Sequence, residues 1–143
     1  MRLFDSWQIW ALLSAMFAAL TAIFAKVGIE NVNSDYATFV RTVVILLAAG
    51  GIVLATGQWM DPATISGRTW LFLILSGLAT GLSWLCYFRA LKLGQAAQVA
   101  PVDKLSVVFV IVLAWIFLGE PLTWKVLVGG AFVAAGAVIL AVP

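Results

Sequence analysis

Five long apolar runs, separated by short polar gaps, follow one another along the chain. A helix that spans a bilayer needs about 20 mostly apolar residues, because the hydrocarbon is about 30 Å thick and each helical residue rises about 1.5 Å. Each run has about that length, and together they cover residues 7–27, 37–56, 69–91, 99–118 and 124–142. The pattern predicts an all-α integral membrane protein, built as a single bundle of five transmembrane helices.

The gaps carry residues that start and end helices. Asn33 lies in the first gap, and Gly119 and Pro121 follow the fourth run, with glycine at the stop and proline beyond it. Thr123 occupies the place where the N-cap of the fifth helix belongs. Loops this short leave no room for a separate soluble domain, so residues 1–143 are expected to form one transmembrane domain.

The amino-acid composition also indicates a protein embedded in a lipid bilayer. Of the 143 residues, 64% are hydrophobic and only 10% are charged, whereas soluble domains carry about 25% charged residues. The formal net charge of +2 gives no basis for a nucleic-acid partner. The first run is longer than the apolar core of a signal peptide, so it is expected to stay as a membrane anchor. The expected location is the plasma (inner) membrane, as a multi-pass protein.

Catalytic and metal chemistry find little support in the sequence. Histidine is absent, and the single cysteine, Cys86, lies inside an apolar run. A disulfide within one chain is therefore excluded, and a transition-metal site is not expected. The commonest general base is missing, and no nucleophile–base pair or phosphate-binding loop occurs. We predict no enzyme activity, no catalytic residues, no metal and no cofactor.

The third run carries polar residues at helical spacing. Ser76, Thr80, Ser83 and Tyr87 fall on one helical face, and Trp84 lies beside it. A polar face inside hydrocarbon is costly unless it lines a cavity or meets a partner, so these residues are candidates for a substrate path. The alternative is that the hydroxyl groups bond back to carbonyls of their own helix.

The fourth run opens with a second set of candidates. Gln98, Pro101, Asp103 and Lys104 lie near its start, where proline either begins a helix or breaks it. A helix broken at membrane depth exposes backbone groups that can hold substrate. Asp103 and Lys104 are adjacent, so their side chains would point about 100° apart on a regular helix and are not expected to pair. The alternative is that both are hydrated at the headgroup level.

Basic residues within the first three runs are the possible partners of Asp103. Arg41 lies a turn or more inside the second run, and Arg89 lies near the end of the third. Either arginine is a candidate ion-pair partner for Asp103, and Arg41 is also a candidate for the substrate path. Lys26 ends the first run, where its ammonium can reach the interface.

Small residues recur four positions apart in the first run, at Ser14, Ala18 and Ala22, and as pairs in two other runs. Gly77 and Gly81 form one pair, and Gly130 and Ala134 form the other. Such pairs let helices approach closely, either within one chain or between subunits.

Four segments of the sequence occur together in a recognisable order. They are Tyr87-Phe88-Arg89-Ala90-Leu91-Lys92, Ala100-Pro101, Leu118-Gly119-Glu120-Pro121-Leu122, and the stretch from Gly129 to Gly136. With Lys26 after the first helix and Arg41 in the second, this set resembles the EamA-like repeat of the drug/metabolite transporter superfamily. The resemblance covers nearly the whole chain.

The resemblance implies a function and a mode of assembly. Most full-length relatives resemble two five-helix repeats fused with opposite topology, and they export or exchange metabolites by alternating access. This chain resembles one repeat, as in a half-size branch in which two chains replace the fusion. Four-helix small multidrug relatives use a glutamate in their first helix for proton coupling. Residues 7–26 contain no acid here, which argues against proton-driven cation antiport of that type.

Positive charges are nearly balanced between the two sides of the predicted topology. One side holds Arg2, Arg68 and Lys125, and the other holds Lys26, Arg41, Arg89 and Lys92. A chain without positive-inside bias can insert both ways, and two opposed copies form the inverted repeat that alternating access uses. We predict an antiparallel homodimer in membrane lipid, with a heterodimer of related half-transporters as the alternative.

The leading hypothesis is a transporter of small metabolites or drug-like compounds that works by alternating access as a dimer of half-transporters. Its partners would be membrane lipid, a small-molecule substrate and a second chain. Two other functions stay open: a lipid-linked sugar flippase-type subunit and a non-transporting membrane scaffold. The polar face of the third helix favours the transporter.

An odd number of crossings has a direct test. Two cysteines are introduced together, one near each end of the chain, with Cys86 replaced by serine. An impermeant thiol reagent applied from one side of the membrane should then label only one of the two ends in any one molecule. Labelling of both ends from the same side within one molecule would contradict five crossings.

Overall fold

The computed structural model describes residues 6–142, and these are mainly helical. The helices are α1 Trp7–Gly28, α2 Ser34–Ala55, α3 Gly67–Leu93, α4 Ala96–Asp103, α5 Ser106–Leu113 and α6 Trp124–Ala141. A short 3-10 turn, Pro62–Thr64, lies between α2 and α3, and a π-helical turn, Ala114–Leu118, continues α5. No strand occurs within this described part of the chain.

Five helical segments are long and apolar enough to cross a membrane, as the hydrophobic pattern predicted. Four of them are single helices, and the other, Ala96–Leu118, combines α4, α5 and the π turn. The observed ends fall within three residues of the predicted ones. The predicted fold class is therefore confirmed over the described residues.

Local side-chain chemistry sets several helix ends. The Asn33 side-chain oxygen accepts hydrogen bonds from the backbone N–H groups of Asp35 and Tyr36, at 2.8 and 3.3 Å, and so caps α2. Thr123 accepts from the Val126 N–H at 3.3 Å and caps α6. Gly119 ends the π turn in the left-handed region, with φ 68°, where a side chain would be strained. Each of these residues occupies the helix boundary that the sequence predicted.

The fourth membrane segment is interrupted after its first eight residues. Pro101 lies inside α4 and lacks the N–H that would continue the α-helical ladder. After Asp103 the backbone turns through Lys104 and Leu105, whose N–H groups bond to carbonyls three residues back rather than four. The sequence predicted that proline either begins or breaks this helix. The structure places the break two residues after the proline and the helix start at Ala96.

The chain divides into two compact units. The first comprises the described chain up to Phe24 and from Leu93 onward. In it α6 packs against both α4 and α5, and Gly130 and Ala137 of α6 are buried. A Cβ atom at Gly130 would lie only 2.8 Å from Cδ1 of Ile111 on α5. Gly130 therefore allows a close contact within the chain, one of the two roles that the sequence left open.

The second unit spans Ala25–Lys92 and so contains the last residues of α1, all of α2 and nearly all of α3. Its buried side chains are few: Ala25, Ile29, Thr38, Phe88 and Leu91. Most other apolar side chains of α2 and α3 are exposed; Leu46, for example, is 70% exposed. Exposure on this scale suits surfaces that face lipid, where apolar side chains are as well solvated as in a protein core.

The packing of α6 predicts different effects at two neighbouring glycines. Gly130→Leu should destabilise the protein by about 1–3 kcal/mol, because the new side chain must displace Ile111 or push α5 away from α6. Gly129→Leu is the matched control, since a Cβ there would meet nothing within 4 Å. Thermal unfolding in detergent should show a lower midpoint for Gly130→Leu alone. Equal midpoints for the two variants would contradict the close contact.

Candidate functional site

A cation lies against aromatic rings within the membrane-spanning part of the second unit. The guanidinium carbon of Arg41, on α2, is 4.1 Å from the ring centroid of Trp84 and 5.4 Å from that of Phe88. Trp84 and Phe88 are four residues apart on α3, so their side chains project from one helical face. Both distances lie within the range of cation–π attraction. The structure thus brings together two predicted site residues, Arg41 and Trp84, and adds Phe88.

The position of Arg41 along α2 separates it from the helix end. It is the eighth residue of that helix, which puts its Cα about 10 Å from the first one. Trp84 lies nine residues before the end of α3, about 13 Å from that end. Within residues 6–142 the guanidinium has no carboxylate partner and no hydrogen-bond acceptor. The rings hold the cation in place without neutralising its charge.

An ion pair joins α2 to α3 nearer the helix ends. Arg89 Nε donates to Asp35 Oδ1 at 3.0 Å, and Arg89 Nη2 donates to Asp35 Oδ2 at 2.7 Å. The two parallel bonds fix the geometry of the pair, although both side chains are well exposed, which limits its effect on stability. The sequence suggested Asp103 as a partner of Arg89, and this was wrong. Asp35, at the start of α2, lies beside the end of α3, and its carboxylate accepts hydrogen bonds from both Nε and Nη2 of Arg89.

Lysines at two helix ends bond to backbone carbonyls. Lys26 Nζ, in the last turn of α1, donates to the Leu91 carbonyl of α3 at 2.6 Å, and Lys92 Nζ, in the last turn of α3, donates to the Val32 carbonyl at 2.6 Å. Cations are favoured at helix C-termini because unpaired carbonyls concentrate negative potential there. A cleft of about 370 Å³ opens here, lined by Lys26, Val27, Ile29, Glu30 and Lys92.

The predicted polar face of α3 is only partly assembled into this cluster. The Thr80 hydroxyl donates to the Ser76 carbonyl at 2.9 Å, which is the self-satisfied arrangement that the sequence left open. Tyr87 is half-buried, and its ring centroid lies 6.5 Å from that of Phe88. Ser76 and Ser83 are exposed. A role for this face in a substrate path stays a prediction.

The candidate site residues of the fourth segment belong to the first unit and lie on both sides of the break in that segment. Lys104 Nζ lies 3.2 Å from Asp103 Oδ2, so the expectation that these neighbours do not pair was wrong. That expectation assumed a regular helix, whereas the chain leaves helical geometry at Lys104 and its long side chain reaches back to the carboxylate. Gln98 and Pro101 are half-buried in α4.

Sequence reasoning missed two members of these clusters. Asp35 precedes residue 37, where the second run was predicted to begin, whereas in the structure it lies in the first turn of α2, which Asn33 caps. Phe88 gave no polar signal, and its spacing of four residues from Trp84 was the available clue. Among the described residues no three His, Cys, Asp or Glu side chains come together as a metal site would require.

Comparison of the sequence with known proteins identifies a family that matches nearly the whole chain. The EamA-like transporter family matches residues 5–142. A Sinorhizobium protein described as an uncharacterized transporter in the cobO 3′ region is 66% identical over 138 residues, which cover 96% of this chain and 98% of that protein. A Bacillus subtilis (strain 168) protein, uncharacterized transporter YxxF, is 30% identical over 122 residues, covering 82% of this chain and 37% of that protein.

No solved structure matches the chain significantly. The family match nevertheless extends over all five membrane-spanning segments. The chain belongs to the EamA-like transporter family, and it is a multi-pass membrane protein.

Proposed function

We propose that the protein carries small metabolites or drug-like compounds across the plasma (inner) membrane by alternating access, as a dimer of half-transporters. The observation that carries this proposal is the Arg41 guanidinium held against Trp84 and Phe88 within the membrane segments. Charged side chains at such depth are costly, and in membrane proteins they mark substrate and ion pathways. Transport needs no covalent chemistry, so the proposal requires no catalytic group.

The interrupted fourth segment adds a second feature of carriers. Discontinuous helices in transporters expose backbone carbonyls near the substrate site. Here the interruption follows Asp103 and brings the Asp103–Lys104 pair together inside a segment otherwise long enough to span the membrane. We propose that Asp103 lines part of the substrate path, and that Tyr87 and Trp84 line another part beside Arg41.

The lengths of the two relatives support pairing of half-transporters. The Sinorhizobium protein is matched over 98% of its own length, so a relative with room for one repeat exists. The Bacillus protein is matched over 37%, which leaves room for a second repeat in the same chain. Two copies of the present chain would supply the equivalent of such a fusion.

An antiparallel arrangement of the two copies follows from two arguments. Arg41 and the exposed hydroxyl groups of Ser76 and Ser83 would meet lipid unless a second copy covered them, and each unsatisfied group in hydrocarbon costs several kcal/mol. The near-even distribution of positive residues allows both orientations of insertion. One of the residues counted there, Arg2, lies outside the described residues. A two-fold axis in the membrane plane would bury the same surface on both chains.

Two conservative substitutions test the substrate path. Tyr87→Phe and Asp103→Asn each remove one polar function at nearly constant volume, so both should lower substrate flux in proteoliposomes several-fold while leaving expression and thermal stability unchanged. Tyr36→Phe and Asp61→Asn are matched controls, since Tyr36 is exposed in the first turn of α2 and Asp61 caps a 3-10 turn between α2 and α3. Normal flux in both test variants would overturn the assignment of the path. Flux of no solute by the wild type would favour the scaffold.

The antiparallel dimer has a separate genetic test. Two or three lysines added beside Arg68, in a reporter-tagged chain, should lock one orientation by the positive-inside rule and abolish transport. Co-expression with a chain locked in the opposite orientation should restore it. Transport by a locked chain alone would show that dual insertion is not required, and a parallel or monomeric carrier would replace the proposal.

A further inference from the structure

We infer that Arg41 selects substrates by charge, and that the substrate is a small organic anion with a carboxylate attached to a flat apolar body. The inference rests on the proposed carrier function and names the class of solute carried. It starts from the unneutralised charge at Arg41 and from the rings beside it.

The charge at Arg41 favours an anionic ligand. A cation removed from water loses its hydration, and an anion with good hydrogen-bond geometry returns more of that free energy than aromatic rings do. Arginine keeps its charge in proteins, so it cannot escape the cost by losing a proton. Aromatic rings attract the cation through their negative faces but accept none of its directed N–H bonds. The guanidinium offers five N–H donors in a fixed fork that matches a carboxylate.

Three acidic residues of the described chain have partners of their own, and Glu30 lines the cleft beside Lys26 and Lys92. Asp35 binds Arg89 through both oxygens, and Asp103 lies against Lys104. Asp61 caps a turn in the segment between α2 and α3. The anion that completes the Arg41 site therefore comes from outside these pairs.

Snorkelling to lipid phosphate does not describe the observed side chain. An arginine that reaches for headgroups extends toward the near end of its helix, which here is the end that carries the Asp35–Arg89 pair. The guanidinium instead lies closer to Trp84 than to Phe88, and Phe88 is the ring one turn nearer to that end. The rings therefore hold the guanidinium beside Trp84, away from the helix end where the Asp35–Arg89 pair lies.

The same rings indicate what the carboxylate is attached to. Trp84 and Tyr87, which are both half-buried, offer apolar ring surface on α3 beside the cation. Phe88 is buried, with 2% of its surface exposed, and supports the cation from within the chain. A ligand whose carboxylate binds the guanidinium edge would carry its body along these rings. A planar apolar body fills such a surface better than a flexible polar one.

The experiment compares three probes that share an indole ring and differ in charge. They are indole-3-acetate, indole-3-acetamide and tryptamine, which are anionic, neutral and cationic at neutral pH. Uptake into proteoliposomes and thermal stabilisation of the purified protein are measured for each. Wild-type protein should take up indole-3-acetate and be stabilised by it, because a ligand that binds only the folded state raises stability.

Substitution of the arginine should remove the charge preference. Arg41→Gln should weaken binding and uptake of indole-3-acetate roughly 10- to 100-fold, the range expected for loss of hydrogen bonds to a charged group. Its effect on indole-3-acetamide should be small. Arg41→Lys should recover part of the anion binding, since it keeps the charge but loses the fork. Arg68→Gln is the matched control, because Arg68 also lies over a ring, 5.9 Å from the Phe72 centroid, but at the start of α3.

The outcomes separate the inference from the carrier proposal. Uptake of tryptamine or indole-3-acetamide in preference to the anion, unchanged by Arg41→Gln, would overturn the inference and leave the carrier intact. Absence of stabilisation by the anion would also overturn it. Loss of the dimer in Arg41→Gln, measured by cross-linking, would assign Arg41 to a carboxylate of a second copy instead. Anion-dependent stabilisation that requires Arg41, without flux of any probe, would support the site and contradict the carrier.

Discussion

The absence of water from the bilayer interior constrains every polar group of this protein. In hydrocarbon a donor or acceptor must find its partner within protein or ligand. Threonines on α2 and α3 satisfy this requirement with carbonyls four residues back, as Thr38 and Thr80 do. Asp35 and Arg89 satisfy it with each other, and Lys26 and Lys92 satisfy it with backbone carbonyls. The surroundings of Arg41 meet the requirement only in part, through rings that stabilise charge but accept no directed bond.

Helix number and helix ends were predictable because their signals are local. A run of about 20 apolar residues is long enough to span wherever it occurs, and Asn33, Gly119 and Thr123 act on the backbone within a few residues of themselves. Pro101 indicated that the fourth segment could be interrupted, but the sequence did not show that the break would follow Asp103. A proline destabilises the hydrogen-bond ladder around it. The position of the turn accompanies the packing of α4 and α5 on α6, which helical periodicity does not describe.

Partner choice among charged residues was not predictable in the same way. Asp35 meets Arg89 because α2 and α3 run in opposite directions beside each other, so the start of one faces the end of the other. Helical periodicity describes one helix at a time and carries no information on that register. The Asp103–Lys104 pair was missed for a different reason: the 100° spacing between neighbouring side chains applies only where the backbone is helical, and the helix ends at Asp103. Arg41 and Trp84 were each predicted as site residues from the sequence, but the contact between them was not predicted, because it depends on how α2 and α3 are aligned.

The bonds from Lys26 and Lys92 to backbone carbonyls bear on how this protein can be handled chemically. These amines connect α1 to α3 and α3 to the α1–α2 loop through two bonds of 2.6 Å. Acylation by an amine-directed reagent would remove the ammonium donors and loosen this end of the helices during the measurement itself. The thiol of Cys86, exposed on α3, makes no such connection. Sulfhydryl chemistry is therefore the less perturbing way to attach a probe or a tether to the native chain.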